Sequence, residues 1–167
     1  MTGSLLRVAC LLVVVAAVAA GCSLFQAKHS LGVKAADVAR VELYGYIWGD
    51  SVGPITTVTI ENSDTHREPV QELVAMFTDV PVSSLPSDAA SSAIGKEALG
   101  VRYTLTNGTT VEVTRILVGL QNAIVIWPDG TANHTEWGSP DLIGHYSTIG
   151  TATGVDPSER PQAKLPG

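Results

Sequence analysis

The residues that could support chemistry are few. The densest group lies in the stretch HTEWGSPDLIGH, which holds His134, Glu136, Asp141 and His145. Imidazoles and carboxylates are zinc ligands. A strand over 131–137 would set His134 and Glu136 on one face, with His145 returning from a following helix. The spacing is not that of HExxH, in which one helical turn aligns two imidazoles. These side chains read instead as solvated groups near an edge strand, and no metal is assigned. Nucleophiles are scarcer still. The only cysteines are Cys10 and Cys22, so the chain beyond residue 22 has no thiol for catalysis, a disulfide or a thiolate metal site. The serines cluster in PVSSLPSDAASSAI, without the GxSxG elbow that presents a nucleophile at a strand-to-helix turn. No glycine-rich phosphate loop precedes a helix. The carboxylates are scattered. His29 falls in an N-terminal tether and His66 at a helix start. Asn107 and Asn133 stand in glycosylation-type triplets but read as turn residues. No catalytic, cofactor-binding or metal residue is assigned, and the chain reads as non-enzymatic.

The elements that would position any site are clearer. VARVELYGYIW, 38–48, alternates: Val41, Leu43, Gly45 and Ile47 on one face, Glu42, Tyr44, Tyr46 and Trp48 on the other. Period two predicts a strand. GDSVGP is a turn, and the β-branched ITTVTI, 55–60, is its partner. Val70, Leu73, Val74 and Phe77 fall at i, i+3, i+4 and i+7, predicting a helix over 66–78. Thr65 and Glu68 fit a capping box, Asp64 is another cap, and Pro69 lies in the first turn where its missing N–H is tolerated. Residues 79–98 form a long connection in which SDAASSAI fits a short helix capped by Ser87 or Asp88.

VRYTLTNGTTVEV is a hairpin whose register can be chosen by face sorting. A two-residue Asn107-Gly108 turn mixes apolar and polar side chains on both faces. A three-residue loop, Thr106-Asn107-Gly108, with Gly108 left-handed sets Tyr103 opposite Val111, Val101 opposite Val113, and Arg102 opposite Glu112. NAIVIW, 122–127, is a further strand, and 131–137 an edge strand. SPDLIGHY fits a short final helix capped by Ser139. The expected fold is α+β: an antiparallel sheet of about five strands with one main helix packed on one face.

The N-terminus carries the most specific signal. Val8 to Ala20 is thirteen uncharged residues. As a helix it rises roughly 20 Å, short of the about 30 Å of a bilayer core. It follows Arg7 closely and ends in small residues, the pattern of a secretory signal. Ala19-Ala20-Gly21-Cys22 then resembles the lipobox of bacterial lipoproteins, with Ala at the first position where Leu is usual. The resemblance covers the first 22 residues. It implies cleavage before Cys22, a diacylglycerol on its sulfur, and a second acyl chain such as palmitate on the freed amine. Two chains anchor stably where one does not. The domain expectations are a signal peptide over 1–21, a lipidated tether over 22–36, one folded domain over 37–147, and a disordered tail over 148–167 rich in Gly, Pro, Thr and charge.

Charge narrows the partners. The net charge of −6 becomes −7 once the signal with its single Arg7 is removed. An acidic chain does not track nucleic acid, and without a polybasic patch the lipid must supply the anchor. A mature length of 146 residues suits one domain and is short for a two-lobed solute receptor. The expected protein is a lipid-anchored, exported cell-envelope lipoprotein acting as a binding or protein-interaction module, held at the cell membrane through Cys22. The alternatives are a small envelope hydrolase or metal-dependent enzyme, and an accessory inhibitor of another envelope protein. For a partner surface the candidates are Tyr44, Tyr46 and Trp48. The helix stripe matches the aliphatic face of the first strand, leaving the aromatic face either open to a partner or covered by the connection 79–98.

Overall fold

A computed structural model describes residues 27–137 and 141–166. The anchor sequence, including Cys22, and the proposed cap Ser139 lie outside the described residues. Seven antiparallel strands form one sheet: β1 Val38–Ile47, β2 Ile55–Glu61, β3 Glu97–Leu105, β4 Thr110–Leu117, β5 Asn122–Ile126, β6 Ala132–Glu136 and β7 Thr151–Val155. Their spatial order is β6-β5-β4-β3-β1-β2-β7. The helices are α1 Arg67–Ala75, α2 Ala89–Ala93 and α3 Leu142–Tyr146. The class is α+β with an antiparallel sheet, but the sheet is larger than the five strands expected.

On the front face, Val41 and Leu43 of β1, Val58 and Ile60 of β2, and Val101 and Tyr103 of β3 are buried with Val70, Leu73 and Phe77 of the α1 region. The stripe at i, i+3 and i+7 is the surface that α1 buries. Tyr103 keeps its polar tip satisfied by donating its hydroxyl to the Leu73 carbonyl at 2.8 Å. The Thr65–Glu68 capping box is not formed: the helix starts at His66 without a side-chain cap, and Asp64 pairs instead with Arg67 at 2.7 Å.

The hairpin follows the face-sorted register. Tyr103 pairs with Val111, Val101 with Val113 and Arg102 with Glu112. Gly108 closes the loop at φ 84°, and its N–H donates to the Leu105 carbonyl. A β-branched side chain is strained at that angle. Gly108→Val is therefore expected to cost about 1–3 kcal/mol, read as a lower urea midpoint at unchanged m-value; an unchanged midpoint would contradict the turn.

The described parts of both terminal segments, 27–36 and 148–166, differ from expectation, largely because backbone hydrogen bonds, which leave no side-chain pattern, hold them. In the segment expected to be a loose tether, Lys28–His29 pairs with Val80–Pro81, Leu31 N–H donates to the Phe77 carbonyl, and Leu31 is buried. In the tail expected to be disordered, Thr151–Val155 pairs with Ile55–Thr59 as the seventh strand. Only Val155 is half-buried and the rest of the strand is exposed, so the ladder fixes it and composition does not betray it. A capping box of Asp156 and Glu159 turns the chain. Residues beyond then cross the back of the sheet, where Pro161 lies against Gly100; a Cβ there would meet the proline ring at 2.9 Å.

That crossing overturns the proposed partner surface. Tyr44 and Tyr46 are 2% and 7% exposed, and Trp48 is half-buried against the same cluster. Ala89 and Ala93 of α2 cover this face together with Ala163 and Leu165 of the tail. The aromatic rings are core, closed over by the 79–98 connection and by a tail that the sequence reading left free.

Candidate functional site

A wide cleft lies where β1 ends, β2 and β3 begin and β4 ends. One rung of the sheet crosses it: Thr56 beside Gly45, Gly45 beside Leu99, Leu99 beside Arg115, and Arg115 beside Val125. Gly45 has no side chain, and Ile143 of α3 packs into the space; a Cβ at residue 45 would come within 2.9 Å of Ile143 Cγ1. The next rung, where Ile47 pairs with Glu97, forms a lip. The turn 50–54 and Arg160 close one side, and Asp141 to Ile143 form the other. The cleft encloses about 660 Å³, within the roughly 300–1,000 Å³ of small-molecule sites.

Its charged groups are not equivalent. Asp50 is tied to its own turn, accepting from the Val52 and Gly53 N–H groups at 2.9 and 3.0 Å. Those two bonds hold its carboxyl below the usual carboxylate range. Asp141 caps α3 by accepting from the Gly144 N–H at 2.9 Å. Arg160 donates to the Asp50 carbonyl at 2.8 Å, and its guanidinium carbon stands 4.5 Å from the centre of the Tyr46 ring. Arg115 differs from all of these. It is 4% exposed, and its Nε and Nη1 have no hydrogen-bond partner among the described residues. Its one specific contact is a cation–π approach to Trp137, 5.3 Å from the guanidinium carbon to the ring centre. Burial lowers its pKa to about 10, against the opposing field of Glu97. It remains a cation at neutral pH, and among the described residues no carboxylate forms a salt bridge with it.

The residues singled out for metal chemistry serve other ends. His134 pairs its backbone with Ser83 and sets Nδ1 3.3 Å from the Ser83 hydroxyl. Glu136 is exposed at the end of β6. His145 meets the Tyr146 ring edge-on at 4.7 Å. Among the described residues, no group of three or more His, Cys, Asp or Glu side chains is placed to hold a metal ion. His29 stacks on Trp127 at 4.3 Å, 3.7 Å from Asp129.

Arg115 was missed, although a signal for it existed. Period two places it between Val113 and Leu117, a charge inside an otherwise apolar strand face. A buried ionisable group beside a cavity is a mark of functional sites, because desolvating it costs stability that binding can repay. Arg160 carried no such signal, since only the folded-back tail brings it to the cleft.

Among the described residues the chain is thus an α+β fold built on an antiparallel sheet, with an arginine-lined cleft at one end of that sheet. No protein-family model matches this chain, and neither the curated proteins nor the solved structures contain a match to it. Among the described residues, no helix is long and apolar enough to cross a membrane.

Proposed function

We propose that the protein is an exported, lipid-anchored lipoprotein of the cell envelope, working as a non-enzymatic binding module whose ligand enters the cleft at the β1–β4 end of the sheet. The observation that carries this reading is the cleft of about 660 Å³ floored by the buried, unpartnered Arg115. The anchor rests on Ala19-Ala20-Gly21-Cys22 and would hold the module at the membrane, near any envelope protein partner that receives or supplies its ligand.

The cleft is tested with Leu117→Trp, which puts an indole where a cleft-lining leucine stands. In a thermal-shift screen of small metabolites, ligands of the site should raise the melting temperature of the wild type and fail to raise that of the variant. A screen with no hits, or hits that stabilise both proteins equally, would count against the cleft.

The anchor has its own test. Wild-type protein should partition into detergent, and Cys22→Ser should leave most of the chain unprocessed and without acyl mass. A processed, water-soluble wild type lacking lipid on Cys22 would remove the localisation.

A further inference from the structure

Resting on that reading of the cleft, we infer that its ligand carries a single carboxylate on an apolar body, and that this carboxylate docks on the guanidinium of Arg115.

The geometry supplies each part. A guanidinium offers five donors in a rigid fork that matches two carboxylate oxygens. In Arg115 the described structure uses none of them: Nε and Nη1 are buried without partners, and no other side-chain hydrogen bond forms. Trp137 covers the cation but accepts no N–H bond in the plane of the fork. The donor set and the positive charge are both left over in a cleft-lining residue that is 4% exposed, so a ligand carboxylate reaches Nε and Nη1 by opening the contacts that cover them. A carboxylate would satisfy donors and charge together, through short charge-assisted bonds.

The remaining lining decides what else the ligand is. Half-buried Leu117 and Ile143 and exposed Pro54 give the cleft an apolar part, and Ile47 stands 42% exposed at its lip. An apolar body gains by covering them. Asp50, Glu97 and Asp141 also line the cleft, against two cations, Arg115 and Arg160. Arg160 is already committed to the Asp50 carbonyl and the Tyr46 ring. Three carboxylates and one available cation repel a multiply charged head group, so a nucleotide or phosphate ester fits worse than a monocarboxylate.

The test uses short probes, which avoid partitioning into the detergent that holds the mature, lipidated protein. Dissociation constants for hexanoate, hexyl phosphate, hexanol and hexylammonium are measured by saturation-transfer NMR on the wild type, Arg115→Met and Leu117→Trp. Hexanoate should bind the wild type at least about ten-fold more tightly than hexanol, and more tightly than hexyl phosphate. Arg115→Met should erase the advantage over hexanol while leaving hexanol binding unchanged. Equal binding of hexanoate and hexanol to the wild type, or a hexanoate advantage that survives Arg115→Met, would overturn the proposal. Tighter binding of hexyl phosphate or hexylammonium would overturn the choice of a monocarboxylate. Leu117→Trp separates the two readings. If it weakens all probes while Arg115→Met changes nothing, the cleft stands and the carboxylate proposal falls. If it weakens none of them, the cleft reading itself falls. The comparison of hexanoate with hexanol in the wild type decides the matter even if Arg115→Met does not fold.

Discussion

Arg115→Met is expected to raise the stability of the ligand-free protein. The guanidinium is 4% exposed, and burial lowers its pKa to about 10. The sign follows from proton binding. Between that value and the ordinary arginine range, the unfolded chain binds more protons than the folded one, so stability rises with pH there. Below about pH 10 both states carry the charge, and the folded state bears the whole cost of desolvating it. At ~1.4 kcal/mol per pKa unit, that cost is on the order of 3 kcal/mol. The cation–π contact with Trp137 returns about 1 kcal/mol. Methionine keeps an unbranched stem of similar reach and has no buried donors to leave unsatisfied. The net gain should be on the order of 2 kcal/mol, or roughly 5 °C in melting temperature. Calorimetry at neutral pH, without added ligand, measures it. A lower melting temperature would show that Arg115 is a structural cation, stabilised where it lies. Replacing a buried charge by an apolar side chain often stabilises a protein when the charge serves binding rather than folding.

The second large effect is destabilising. Tyr46→Ala should cost about 3–5 kcal/mol, the usual range for deleting a buried aromatic ring. Tyr46 is 7% exposed, packs in the back-face cluster with Ile116 and Ala93, and carries Arg160 on its ring. The loss has a local consequence as well. Without the ring, Arg160 keeps only its bond to the Asp50 carbonyl, and the strap of Pro161, Ala163 and Leu165 loses its main platform. Urea unfolding should give the loss of stability, and limited proteolysis should show faster cleavage near Arg160 than in the wild type. Had Tyr46 been an exposed anchor for a partner, the same change would have left the urea midpoint almost unaltered. A midpoint within about 0.5 kcal/mol of the wild type would restore the partner surface.

The hairpin shows how far side-chain pattern reaches. Arg102 opposite Glu112 is legible because a one-residue slip would send Tyr103 and Val111 to opposite faces. The pair is nevertheless more than the surface ion pair that register alone suggests. Arg102 donates to Glu112 at 2.7 Å, to the Tyr44 hydroxyl at 2.6 Å and to the Glu159 carbonyl at 2.9 Å. Two of those partners lie more than fifty residues away in the chain, and no local rule could supply them. The candidate site divides in the same way. The charge on an apolar strand face at Arg115 was readable. Its lack of a partner was not, because that depends on which side chains the whole fold brings near.

Short-range periodicity and spacing therefore encode the local part of this fold. Alternation in 38–47 and the β-branched run 55–60 made strands, the i, i+3, i+4, i+7 stripe of Val70 to Phe77 made the helix region and chose its face, and Gly108 set the hairpin loop. Each depends on side chains within a few residues of one another, or on a single backbone angle. Long-range packing settles what covers the second face and where the C-terminal segment runs. Thr151–Val155 joins the sheet through backbone bonds to β2, and residues 160–165 then close over Tyr44 and Tyr46. Backbone groups are alike at every residue, so pairing carried by them leaves almost no mark on composition. The cleft has the same origin. Gly45, Arg115, Ile143 and Arg160 come from four separated segments, and they meet because the sheet aligns the first two while the third helix and the returning tail bring the others to its end.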